Sequence, residues 1–138
     1  MNLSQKLLVP AFAIFLISTG MVLKKNTVQE PWNVPTKYKK MENPTDPQDK
    51  EGLMIGKQLY TKHCKSCHGK VGLGDGPKAA ELDTPSGDFS IDKFQSQSDG
   101  ELYYKTIFGR DDMPSYDKKI PDEEDRWLVV NYMRTFAK

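Results

Sequence analysis

The sequence predicts a small all-α domain, and three observations carry that expectation. Apolar residues recur at spacings of three and four in the middle and at the end of the chain. Helix-capping signals open and close these stretches. No apolar run alternates with the period of two that a half-buried strand requires. With 138 residues, 37% of them hydrophobic and 28% charged, the chain holds one domain plus some extended polar sequence.

From the N-terminus, Lys6 is followed by an uncharged apolar run, Leu7 to Leu23, closed by Lys24 and Lys25. The run is at the short edge of what spans a bilayer, and Pro10 and Gly20 interrupt it. Residues 1–23 therefore read as an export signal or as a retained membrane anchor. In the first reading Ser18-Thr19-Gly20 is a loose cleavage site. Either way the remainder is exported, to the periplasm in a bacterium, free or held at the inner membrane. No cysteine follows the run, so a lipid-modified cysteine does not supply the anchor. Residues 24–45 read as a proline-rich linker in which Trp32, Val34 and Tyr38 either pack incidentally on the domain or meet a partner. The globular part is then 46–138. Charge is uneven: residues 1–44 carry six Lys against two Glu, and the rest 14 Lys and Arg against 17 acids, for a net +1. A mildly acidic body behind a basic leader is not a nucleic-acid binder.

The first helix of the domain is expected to open at Asp46-Pro47, with Asp46 as N-cap, and to run into the cysteines. Leu53, Gly56 and Tyr60 share one of its faces. A glycine in mid-helix costs about 1 kcal/mol relative to alanine, so close approach of another helix is expected at Gly56. Residues 69–90 form a long Gly- and Pro-punctuated stretch, which in a compact domain implies that it wraps something. Ser98 to Glu101 is a capping box opening a helix that stops at Gly109. After the loop Arg110 to Ile120, Pro121-Asp122 starts the last helix. Four acids fill its first turn, Arg134 and Lys138 lie at its end, and Val129, Tyr132, Met133 and Phe136 form its stripe.

All the cysteine and histidine of the chain lies in one segment, "KHCKSCHG", as His63, Cys64, Cys67 and His68. A tetrahedral zinc site draws on separated ligand pairs, which a contiguous cluster cannot supply. A thioredoxin-type dithiol needs a βαβ context. A Cys64–Cys67 disulfide stays open by default, but it closes too small a loop to stabilise much and leaves His68 unexplained. C-x-x-C-H as a haem attachment site explains more: on a helical turn Cys64, Cys67 and His68 share a face, so two thioethers hold the macrocycle while His68 reaches iron. His63 cannot reach the opposite side and is expected on the surface. Of six methionines only Met113 stands in a downstream loop, stiffened by Pro114, which makes it the candidate second axial ligand.

The order helix, "CKSCHG", Gly-rich loop with "GDGP", "MPSY" and final aromatic-bearing helix resembles class I c-type cytochromes over 46–138. The resemblance implies the small cytochrome c fold and one covalently bound haem c. It implies His68 and Met113 as axial ligands, the carbonyl of Pro77 orienting His68, and a contact of Gly56 with Tyr132. "SDGELYYKTIFGRDDMPSY" and "IPDEEDRWLVVNYMRTF" are similar to exported bacterial respiratory cytochromes such as the monohaem subunits of alternative complex III. With both axial positions filled, one-electron transfer is expected rather than catalysis. The donor would be a quinol-oxidising complex or dehydrogenase, and the acceptor a terminal oxidase. The alternatives are a fixed cytochrome subunit of a membrane oxidoreductase complex and a peroxidase-type enzyme with a labile Met113. Leu53, Tyr60, Leu102, Ile107, Val129 and Tyr132 are expected to wall the haem. Lys62, Lys65, Lys70 and Lys78 would steer an acidic partner.

Overall fold

The computed structural model describes residues 30–138. The apolar run at 7–23 lies outside them, and no helix among the described residues is long and apolar enough to cross a membrane. Six α-helices follow in order: α1 Thr36–Lys39, α2 Lys50–His63, α3 Lys65–His68, α4 Asp92–Gln95, α5 Asp99–Phe108 and α6 Glu123–Arg134. A single 3-10 turn covers Ala79–Glu81, and no strand forms among the described residues.

Helix α2 begins later than its sequence suggests. Asp46 and Pro47 form a turn instead, in which Asp46 Oδ1 accepts from the Gln48 amide at 2.8 Å and Asp49 N donates to the Asp46 carbonyl. The cap is Asp49, whose two carboxylate oxygens accept from Glu51 N at 3.1 Å and Gly52 N at 2.9 Å. A carboxylate there satisfies two of the open amides at the positive end of the helix. The other two long helices start at the expected residues, and α5 stops as expected, but α6 ends at Arg134, which leaves Phe136 and Lys138 beyond the helix. Ser98 and Glu101 complete a reciprocal capping box on α5, and Gly109 ends it with a φ of 63°. Asp122 caps α6.

The frame of the fold is the packing of α2 on α6, and Gly56 makes it close. A Cβ built at Gly56 would lie 2.1 Å from the Leu128 carbonyl oxygen and 3.1 Å from Tyr132 Cβ. The expected partner Tyr132 is therefore there, with the Leu128 backbone nearer still. Val129 and Val130 of α6 are 0% exposed, and Tyr103 of α5 stacks on Trp127 at 4.1 Å between ring centroids. Arg134 does more than meet the α6 dipole. It pairs with Asp99 Oδ1 at 2.6 Å and donates to the carbonyls of Gln95 and Gln97, tying α6 to the start of α5.

Residues 30–45 pack on this frame. Val34 is 4% exposed, and the Tyr38 ring packs tilted against Tyr104 and edge-on against Phe108 of α5. Asn43 Nδ2 donates to Asn131 Oδ1 at 2.7 Å, and Asn131 Nδ2 donates to Thr45 Oγ1 at 2.9 Å. The segment is thus a strap along α5 and α6. Outside the single turn of α1 it has no regular structure, which its prolines suit because they lack an amide to donate.

Candidate cofactor site

The turn bearing the cysteines is held by bonds that fix it against three other parts of the chain. Tyr60 Oη donates to the Gly69 carbonyl at 2.9 Å, and Tyr116 Oη donates to the His63 carbonyl at 2.8 Å. Beneath it, Gly74 N, Gly76 N and Lys78 N donate to the carbonyls of His68, Cys67 and Ser66. The Gly-rich loop is therefore a cradle for the attachment turn, and Gly76 is required there. Its Cβ would sit 2.4 Å from the Ser66 carbonyl oxygen.

Above the turn lies a cavity of about 590 Å³, within the roughly 300–1,000 Å³ usual for cofactor sites. Cys64, Cys67 and His68 line one side, and Met113 reaches it from the loop before α6. That loop is a tight turn in which the Arg110 and Met113 amides and carbonyls exchange two bonds, with Asp111 at a φ of 52°. Asp112 Oδ2 accepts from Asp83 N at 2.9 Å and Thr84 N at 3.1 Å, so the Met113 loop is tied to the loop that bounds the cavity's far edge. Four of the five expected site residues thus meet in one space. Pro77 does not line it: it is exposed, in the cradle beneath, and no hydrogen bond joins it to His68. The walls also differ from expectation. Of the six apolar residues named, only Leu102 lines the cavity, with Phe89, Phe94, Tyr116 and Met133 beside it. Tyr60, Ile107 and Val129 are buried in the core instead, and Leu53 and Tyr132 stand apart from the cavity, because helical spacing says which face is buried but not against what.

The polar atoms here are short of partners. His68 Nδ1 is buried without a hydrogen-bond partner, and burial pushes the imidazole down to about 4, with the Ser86 backbone acting the other way. Both cysteines are free, and burial, then the neighbouring Cys67, pushes the Cys64 thiol up to about 12. His63 is not simply a surface residue. Its ring lies against Tyr116 and its Nε2 is buried without a partner. An imidazole with a buried, open ring nitrogen, a thioether lining the same cavity and two free thiols form a donor set that fits a covalently held haem. Sequence reasoning missed Trp32, Lys105 and Arg110, which also line the cavity. The only local signal was the placement of Arg110 three residues before Met113.

The cytochrome c family model matches residues 53–137. No curated protein matches the chain. Among solved structures the chain is similar to a protein of the reducing HAO-like complex of Kuenenia stuttgartiensis, with 28% identity and a TM-score of 0.57. That likeness covers 75% of this chain and 54% of the other, so the chain spans about half the length of that relative. It is also similar to the c-type cytochrome KustC0563, with 28% identity and a TM-score of 0.52 over 60% of this chain and 98% of that one. Cytochrome CL of the bacterium Methylophaga aminisulfidivorans MPT shares the fold, with 16% identity and a TM-score of 0.51 over 79% of this chain and 69% of the other.

Proposed function

The chain belongs to the cytochrome c family and so takes a covalently bound haem c for electron transfer, and from that premise we propose that it is an exported one-electron carrier of a bacterial respiratory chain. The observation that supports this most is the convergence of Cys64, Cys67, His68 and Met113 on one cavity. Cys64 and Cys67 would tether the haem as thioethers, and His68 and Met113 would hold its iron. The haem, when bound, supplies a ferric/ferrous couple. The protein's part would be to supply both iron ligands from its own chain, through His68 and Met113, and to keep water away with Leu102, Phe89 and Tyr116. A thioether opposite an imidazole favours the reduced state. The structure shows no hydrogen bond from His68 to Pro77; the carbonyl of Pro77, in the cradle under the attachment turn, would orient His68 only once the bound haem fixes its ring.

Residues 1–23 act as export signal or anchor, and the domain works at the periplasmic side of the inner membrane, mobile or tethered. A quinol-oxidising complex or dehydrogenase supplies the electron and a terminal oxidase accepts it. Lys62, Lys65, Lys70 and Lys78, all exposed around the attachment turn, attract an acidic partner surface. A second reading, a fixed subunit of an oxidoreductase complex such as alternative complex III, draws support from the relative whose structure is of a protein complex. Migration alone without detergent separates a mobile carrier from a subunit.

Visible spectroscopy of the exported wild type beside Met113→Ala is the test. The wild type is expected to show covalently attached, low-spin haem, and the variant to lose the Met-ligated spectrum and to bind cyanide readily. An unchanged spectrum in the variant overturns the axial role of Met113. A wild type without covalent haem overturns the whole reading, and one that binds cyanide as fast as the variant points to an enzyme.

A further inference from the structure

The strap of residues 30–45 ends at the cavity rim, where Trp32 meets two cations. The Arg110 guanidinium carbon lies 4.4 Å above the Trp32 ring, and Lys105 Nζ lies 5.8 Å from its centroid. Tyr104 supports the indole edge-on at 6.5 Å. The strap backbone adds a bond, because Arg110 Nη1 donates to the Pro31 carbonyl at 3.2 Å. Trp32, Lys105 and Arg110 all line the cavity that holds His68 and Met113.

The charge here is only partly balanced by the residues around it. Arg110 Nε lies 3.2 Å from Asp111 Oδ2, but Arg110 Nη2 is buried with no hydrogen-bond partner. Lys105 donates to Gln97 Oε1, a neutral group, and desolvation lowers its affinity for its proton despite the opposing pull of Glu101. Glu101 and Asp112 are engaged elsewhere. Glu101 Oε2 accepts from the Ser98 amide at 3.0 Å, and Asp112 holds the Asp83 and Thr84 amides. A half-desolvated cation pair with an open guanidinium edge is costly unless an anion meets it. A guanidinium edge is also the geometry that recognises a carboxylate. Haem carries two propionate carboxylates.

We propose that Lys105 and Arg110, held on Trp32 of the N-terminal strap, form the seat for the carboxylates of the bound haem, and that the strap thereby sets its reduction potential. This rests on the haem occupying the cavity as proposed above. Trp32 is a positioning residue in this arrangement: it fixes the two cations without itself meeting the carboxylates. Positive charge at the haem edge disfavours the more positive ferric state, so removing it lowers the midpoint potential.

Redox titration of the haem-loaded full chain tests the proposal on Arg110→Gln, Arg110→Lys, Lys105→Gln, Trp32→Ala and the double variant Trp32→Ala/Arg110→Gln. Each charge-removing change is expected to lower the midpoint while the Met-ligated spectrum persists. Arg110→Lys should keep most of the wild-type value. Trp32→Ala should move it in the same direction as Arg110→Gln, with the double variant falling short of the sum. Unmoved potentials in both Arg110→Gln and Lys105→Gln, or additive effects in the double variant, overturn the proposal. A wild-type potential that follows added inorganic phosphate at constant ionic strength, and no longer does so in Arg110→Gln, also overturns it by making the seat one for free anions. Intact haem with an unmoved potential defeats this inference alone, whereas absence of covalent haem defeats the function on which it rests.

Discussion

The contact of α2 with α6 and the shell of loops between residues 69 and 113 are finished to different degrees. In the helix pair, Gly56 meets the Leu128 backbone, Val129 and Val130 are fully buried, and the one buried amide, Asn131, uses both ends of its side chain. Around the loops the backbone adopts positive φ repeatedly, from Gly69 to Asp111, while α2 and α6 contain none. Among the described residues, the buried side-chain polar atoms without partners belong to His63, next to Cys64, and to His68, Ser86 and Arg110 at the cavity. Apart from His63 at the C-terminal end of α2, the first region is completed by the polypeptide. The second leaves buried polar atoms of His68, Ser86 and Arg110 open around one cavity.

Three substitutions sharpen or break that contrast. The largest effect is expected for Cys64→Ala/Cys67→Ala, which removes both tethers. Covalent haem should be lost, and hydrogen exchange should quicken across residues 69–97 well before it does in α6. Equal loss of protection in both regions would mean that the helix pair also depends on the cofactor. Next is Gly56→Ala, whose Cβ would lie 2.1 Å from a backbone oxygen that no side-chain rotation can move aside. Alanine recovers about 1 kcal/mol of helix propensity. Overpacking costs about 1–3 kcal/mol and occasionally more, and a backbone clash belongs at the upper end. A net loss of about 2 kcal/mol is expected in denaturant unfolding, with the haem spectrum of the folded protein unchanged. A neutral result would show that the helices are not so closely apposed. The smallest is Ser98→Ala, which removes the acceptor for Glu101 N at 3.2 Å from α5, the helix bordering both regions. A loss of about 1 kcal/mol is expected, read as a lower thermal midpoint.

Sequence reasoning followed the same division. The capping box at Ser98, the stop at Gly109 and the start of α6 at Asp122 were legible because each depends on residues within one turn. The approach at Gly56 was legible because a mid-helix glycine needs a compensating contact. Met113 was reached by elimination, and the structure brings it to the cavity of Cys64, Cys67 and His68. The start of α2 was misplaced because two aspartates compete, and Asp46 caps a turn while Asp49 caps the helix. His63 was expected on the surface, yet Tyr116, 53 positions away, folds over it. Residues 30–45 read as linker because their contacts, such as Asn43 with Asn131, span 88 positions and leave no periodic trace.

By itself, then, the sequence determined the helical class, the caps of α5 and α6 and the C-x-x-C-H turn, and it singled out Met113. Those features depend on neighbours a few positions apart or on residue types present in only one or two copies. Only the tertiary structure decided which apolar residues wall the cavity, that Asp112 ties its two edges together, and that Trp32 carries two cations to its rim. The reason is physical: burial and pairing at a cavity are set by which distant segments pack together, and a side chain's spacing along its own helix does not contain that information.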